Sequence, residues 1–155
     1  MWAEDYYIDL TPKQSQTITT IFKDANTLQD IGRIIKRHFN YESHPRSIRE
    51  AMLDINTTLQ TRQGNCADLT LLYFLGCRSK GWKVEIVTGD INGGSHFWNK
   101  VQINGTWYFS DITAYNVGWE SNGVPFNPGP VNWINGFEYV ERDNDAYTTW
   151  LTGGK

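Results

Sequence analysis

The hydrophobic pattern changes period near the middle of the chain. Up to Gly81 apolar residues recur at helical spacing; beyond it they alternate. TPKQSQTITTIFKDA opens with Thr11 as an N-cap and Pro12 at the first helical position, where its missing N–H costs nothing. In TLQDIGRIIKRHF, Leu28, Ile31, Ile34, Ile35 and Phe39 share one face of a second helix. SIREAMLDI begins with Ser47 and Glu50 at capping-box spacing. A longer helix is predicted from Asn65 as N-cap, with Asp68 in the first turn to complement the dipole. It runs through Leu69, Leu72, Tyr73 and Leu75 and stops near Gly81.

In the second half, WKVEIVTG alternates around Val84 and Ile86, and DINGG predicts a turn. SHFWNKVQI and TWYFSDIT read as strands joined through Asn104-Gly105, the strongest short hairpin signal. FEYVE reads as a last strand. The stretch from Tyr115 to Asn135 is rich in Gly, Pro and Asn and reads as one long connection. Loops of that length usually serve function or move. Trp119, Phe126 and Trp133 make it a candidate groove wall; a connection packed by its own aromatics is the alternative. Helices followed by strands imply an α+β fold, with N-terminal helices packed on an antiparallel sheet.

A chain of 155 residues, 39% of them hydrophobic, is expected to form one domain with a core that needs no covalent staples. No window approaches the roughly 18 uninterrupted apolar residues of a membrane span. The start, MWAEDYYIDL, lacks the basic and apolar regions of a secretory signal. A net charge of −3 argues against a nucleic-acid or anionic-membrane surface. Arg33, Lys36, Arg37, Arg46 and Arg49 form a local exception, either a solvated helix face or a landing strip for an acidic substrate.

Cys66 and Cys77 lie about 16 Å apart if one helix carries both, so no disulfide joins them. With three histidines they give no zinc spacing. The turns holding Asp90 and Asn92, and Asp143 and Asp145, are oxygen-rich: calcium candidates, or plain turn chemistry. Nothing in the sequence requires a cofactor. Seven Trp, eight Tyr and seven Phe exceed what a core of this size needs, and some are expected to line a groove for sugar or peptide.

Cys66 carries the sharpest chemical signal. In the first turn of a helix a cysteine meets unpaired backbone N–H groups and the positive end of the dipole, both of which favour the nucleophilic thiolate. The plain alternative, a small buried hydrophobe, fits Cys77, which sits inside the apolar helix without polar company. A nucleophile needs a base, and the base an orienting partner. With Asn104-Gly105 as a two-residue loop, Ile103 faces Thr106, Trp98 faces Asp111 and His96 faces Thr113. Alternation then puts His96, Trp98, Trp107, Phe109 and Asp111 on one face, and Phe97, Val101 and Ile103 on the other. His96 and Asp111 become diagonal neighbours, about 7–8 Å apart along the backbone and within reach of their side chains. His38 ends a helix and His44 precedes Pro45; both are read as structural or exposed.

The run Gly64-Asn65-Cys66-Ala67-Asp68, then Gly81 and Gly89, then His96-Phe97-Trp98-Asn99 with Val101, then Trp107 and Asp111-Ile112-Thr113, resembles the core of the transglutaminase-like superfamily. That family shows a cysteine heading a helix, a strand with H-x-W-x-x-V and a following W…D-x-T. The resemblance covers roughly residues 60 to 115. It implies a papain-like arrangement in which Cys66 is nucleophile, His96 base and Asp111 orienter. The aromatic and Asn-rich composition, YYIDL at the start and HPRSIREAM before the long helix are also similar to archaeal pseudomurein endoisopeptidases. These lytic enzymes of methanogen viruses and proviruses cut an Ala–Lys isopeptide link in cell-wall peptide, and they carry wall-binding repeats ahead of the catalytic domain. The resemblance therefore implies that residues 1–155 are one catalytic domain of a longer chain, acting on the cell envelope and reaching it by another route or through a segment outside this sequence. A monomer is expected.

For the oxyanion, the backbone N–H of Cys66 is one candidate donor, with Gln63, Asn65 or a residue of the preceding helix as the second. Trp98, Trp119 and Trp133 are candidate substrate contacts. Three readings follow: a cysteine peptidase that cuts an isopeptide bond through a thioester, an acyltransferase in which an amine replaces water, and a non-catalytic cell-surface binding module. An intact Cys66, His96 and Asp111 argues against the third.

Overall fold

Each helix start read from the sequence is closed by its own side chains. In the computed structural model, which describes residues 10–43, 46–117, 131–134 and 137–143, helix α1 (Pro12–Ile21) is capped by Thr11 and Gln14. Helix α2 (Leu28–His38) is capped by Thr27 and Asp30, and α3 (Ile48–Leu53) by Ser47 and Glu50. Helix α5 (Cys66–Ser79) is capped by Asn65 and Asp68. All four are reciprocal boxes, each satisfying an orphan amide at both ends of the pair. The segment after Ser47 does not continue as one helix. Asp54 ends α3 and begins α4 (Ile55–Thr61), a break the apolar spacing did not signal.

Helix α5 is the centre of the domain. Every residue from Ala67 to Ser79 is buried, so the helix is covered all round. Helices α1, α2 and α3 pack on it, and on its other side lie strands β3 (Val84–Ile91) and β4 (Gly94–Ile103). These belong to a five-stranded antiparallel sheet with β5 (Thr106–Ser110), β6 (Val131–Ile134) and β7 (Phe137–Asp143), in the order β5-β4-β3-β7-β6. The fold is thus α+β, with helices on an antiparallel sheet. A further parallel pair, β1 (Asn40–Tyr41) and β2 (Gln63–Gly64), is two residues long. Among the described residues no helix is long and apolar enough to cross a membrane.

The hairpin register is as predicted, from Ile103 opposite Thr106 to Asn99 opposite Ser110. Asn104 and Gly105 both take positive φ (51° and 82°), and so do Asn92 and Gly93 (49° and 84°) in the preceding turn. That turn is shorter than DINGG suggested, because Asp90 and Ile91 remain in β3. The sheet's two faces also separate as expected. Val84, Ile86 and Val101 join the main core under the helices, with Phe97 and Ile103 packed against it. Val87, Trp98, Phe109 and Tyr139 form a second, smaller core on the other face.

Two expectations need correction. Strand β5 stops at Ser110, so Trp98–Asp111 and His96–Thr113 are not ladder pairs. Asp111 instead caps α6 (Ile112–Asn116), its carboxylate accepting from the Thr113 and Ala114 amides. A short side chain that bonds its own downstream backbone competes successfully with the ladder here. The connection from Tyr115 to Asn135 is likewise not one loop, since it begins within α6 and ends in β6. Residues 118–130, with Trp119 and Phe126, lie outside the described residues.

Candidate active site

Cys66 is delivered by its neighbours on both sides. Arg62 ends α4 in the left-handed conformation (φ 61°), turning the chain into β2. There Tyr41 pairs with Gly64, and the Glu42 amide donates to the Gly64 carbonyl at 2.8 Å. A Cβ on Gly64 would collide with the Asp68 side chain, so glycine is what lets the strand enter the helix this closely. Asn65 Oδ1 then accepts from the Ala67 and Asp68 amides at 3.0 and 3.2 Å. The cap leaves out the amide of Cys66, the first residue of the helix.

His96 stands on β4. Its Nε2 lies 2.9 Å from Asp111 Oδ2, with the side chains 15% and 1% exposed. The carboxylate is held from four directions. Oδ2 takes the imidazole and the Tyr139 hydroxyl, which donates at 2.7 Å, while Oδ1 accepts from the Thr113 and Ala114 amides. Trp98 stacks on the imidazole at 6.0 Å between centroids and is itself pinned edge-on by Phe109 and Tyr139. With Nε2 committed to Asp111, Nδ1 is the nitrogen left for the Cys66 thiol, to which the imidazole is hydrogen-bonded. Cys66, His96 and Asp111 therefore form one continuous chain of contacts.

The electrostatics follow from this geometry. Burial disfavours the imidazolium, but the Asp111 charge and hydrogen bond, with Cys66 on the other side, outweigh it and lift His96 to about 10. Burial alone would raise Asp111; the His96 charge and the hydrogen bonds from His96, Tyr139 and Ala114 hold it below the ordinary carboxylate value.

Two cavities meet at this chain. One, about 300 Å³, is lined by Cys66, His96, Tyr41, Ser43, Arg46 and Thr88. The other, about 340 Å³, touches His96 and Tyr41 but not Cys66, and its walls include Ile91 and Val117. Tyr41 sits between them. Burial and the nearby Cys66 push its phenol up, against an opposing hydrogen bond from Ser43.

The remaining candidates are dispersed. Gln63 lines a separate cavity with Gly64 and Asp68. Asn65 is the exception: it lines the Cys66 cavity while its Oδ1 serves as the helix cap; Trp98 is completely buried beneath His96, so it offers no face to a substrate. Trp133 pairs through its backbone with Glu138; its side chain, like that of Asp143, lies outside the described residues, as do Trp119, His44 and Asp145. Asp90 pairs with Arg142 at 3.1 Å, and Asn92 Oδ1 accepts the Glu138 amide at 2.9 Å. No group of three or more His, Cys, Asp or Glu able to hold a metal occurs among the described residues. Three members of the basic cluster have assigned contacts. Arg33 binds Asp30, Lys36 binds the Tyr115 and Asn116 carbonyls, and only Arg46 reaches the Cys66 cavity, bridging to Asp54.

Tyr41 and Tyr139 are the site residues sequence reasoning missed. Alternation in FEYVE could have set Tyr139 on one face, but nothing local says that β7 returns beside β3. Replacing Tyr139 with phenylalanine removes a hydrogen bond to a charged acceptor, worth about 1.5–3 kcal/mol. The variant is expected to melt lower and to titrate Asp111 at higher pH by NMR, because the hydroxyl's hydrogen bond helps to hold that carboxyl down. An unchanged Asp111 titration would remove Tyr139 from this network.

Residues 11–112 match the transglutaminase-like superfamily, and the chain belongs to it. No curated protein sequence matches the chain. Solved structures resemble it in fold. A candidate cysteine protease of Cytophaga hutchinsonii aligns with TM-score 0.57 and 18% identity, over 90% of this chain and 44% of its own. A transglutaminase aligns with TM-score 0.51 and 14% identity, over 70% of this chain and 34% of its own. An arylamine N-acetyltransferase of Bacillus cereus with a Cys-His-Glu triad aligns with TM-score 0.53 and 13% identity, over 88% of this chain and 67% of its own. The chain thus spans less than half the length of the first two.

Proposed function

We propose that this domain is a cysteine peptidase that hydrolyses an isopeptide bond of the Ala–Lys type in cell-wall peptide, with Cys66 as nucleophile, His96 as acid and base, and Asp111 as orienter. The observation that carries the reading is the 2.9 Å contact between His96 Nε2 and buried Asp111, with the imidazole's other side on Cys66. Cys66 Sγ attacks the carbonyl carbon, and the oxyanion collects at the helix start, where the Cys66 amide lies. As the C–N bond breaks, the imidazolium gives its proton to the leaving amine. Water, deprotonated by the now neutral His96, attacks the thioester; Cys66 leaves as thiolate and the acyl group departs as a carboxylate. The cell-wall substrate, and action at the cell envelope, are supported by the likeness of YYIDL and HPRSIREAM to pseudomurein endoisopeptidases.

Two measurements test the reading. Cys66 is expected to react with iodoacetamide at least about tenfold faster than free cysteine near neutral pH, as activated thiols do; an equal rate sinks the activated nucleophile. An alanyl-ε-lysine model isopeptide, incubated with and without excess amine, is expected to yield free acid. Amide forming in preference to acid replaces the hydrolase by an acyltransferase that shares the thioester step.

A further inference from the structure

The two cavities flanking His96 are chemically unlike, and only one of them touches Cys66. In the acylation step Sγ bonds to the acyl carbon while the imidazolium protonates the departing nitrogen. The acyl group must therefore lie where Cys66 and His96 are both in reach, in the cavity with Ser43, Arg46 and Thr88. The leaving nitrogen must come within reach of His96 Nδ1, the nitrogen that faces Cys66, and its stem must then run away from the acyl group, toward the second cavity that His96 also lines.

That second cavity offers the Tyr41 ring, Ile91 and Val117 as apolar surface, beside the neutral polar groups of Asn92, Ser95 and Thr113. Among its described lining residues, none is Lys, Arg, Asp or Glu. An ammonium close to the scissile nitrogen would lose water there without gaining a counter-charge, and would face the His96 imidazolium. An alkyl stem would gain contact along its length. We infer that this cavity is the leaving-amine subsite, and that it selects an amine on an uncharged aliphatic stem, such as the four methylenes of a lysine linked through its ε-nitrogen. The inference rests on the hydrolase reading above and adds to it the direction in which the substrate lies. Ile91 and Val117 are then specificity residues, and Tyr41 is the wall shared by the two subsites.

The test is a series of alanyl amides of methylamine, propylamine, butylamine and ethylenediamine, whose free ammonium falls two carbons from the scissile nitrogen. Burial of each methylene predicts a rise in kcat/KM of up to about fourfold per methylene added, so the largest step is from methyl to propyl, which adds two. The ethylenediamine amide is expected at least tenfold below the propyl one. Val117→Glu and, separately, Ile91→Asn should flatten the dependence on stem length, whereas Gln16→Glu, on the exposed face of α1, should keep it. A flat series in the parent protein, or a series that both cavity variants leave unchanged, overturns the inference. Mass spectrometry after mixing with an activated alanyl ester keeps the two readings apart. Failure to acylate Cys66 overturns the hydrolase itself; acylation with a flat series overturns only the subsite.

Discussion

Cys66→Ala is expected to abolish hydrolysis of the isopeptide, by about 10⁴–10⁶-fold in kcat, the scale on which removing a nucleophile from a concerted site acts. Stability should barely change, because the Asn65 cap and the Gly64 pairing that shape this helix start do not use the thiol. Cys77→Ala should do the reverse. Cys77 is fully buried in α5, and burial pushes its thiol well up, which keeps it protonated and inert. Its loss leaves a small cavity costing about 1–2 kcal/mol, while turnover per folded molecule is kept. Activity assays beside thermal melts of the two variants separate these roles. A Cys66→Ala protein that still cleaves would exclude nucleophilic catalysis by this residue.

The contrast between the two thiols was legible in the sequence because both of its causes are local. A cap residue followed by cysteine marks a helix start, and an unbroken apolar run marks a buried helix. The His96 side of the site was legible for a similar reason: one Asn-Gly turn sets a register, and register sets faces. The same arithmetic went too far at Asp111. It continued the ladder where the Asp111 carboxylate had already taken up the Thr113 and Ala114 amides. Yet the prediction that His96 and Asp111 meet survived, because the cap lies one residue past the end of the strand. What was not legible arrives from far along the chain. Tyr139 depends on β7 folding back beside β3, and Tyr41 on a two-residue parallel pairing with Gly64. Neither contact leaves a periodic trace, and alternation alone could not tell that Trp98 would be spent supporting the imidazole rather than facing substrate.

Asp111→Asn carries the second large effect, and its direction follows from hydrogen-bond polarity. The native carboxylate only accepts, from two amides on Oδ1 and from His96 and Tyr139 on Oδ2. Asparagine can keep one oxygen for the amides, but its NH₂ then points donors at two donors. Leaving a buried charge without its partner costs about 3–5 kcal/mol, so the variant should melt markedly lower. If it folds, kcat should fall about 10³–10⁴-fold, because the imidazole loses both its orientation and the charge that keeps it protonated.

The pH dependence separates this from a merely structural defect. His96 is raised in the folded state from 6.5 to about 10, so the stability it contributes is present in full below pH 6.5 and is lost as pH rises through about 10. Asp111 is lowered, so its contribution is present above its ordinary value near 3.8 and is lost as pH falls through the depressed one. The parent protein should therefore lose stability between neutral pH and about 10, with an activity limb there as the proton donor disappears. In Asp111→Asn the raising charge is gone while burial still opposes the imidazolium. Its alkaline limb should move down toward neutrality, and its stability should be flat near pH 10. An alkaline limb that stays near 10 in the variant would mean that Asp111 does not hold the His96 proton.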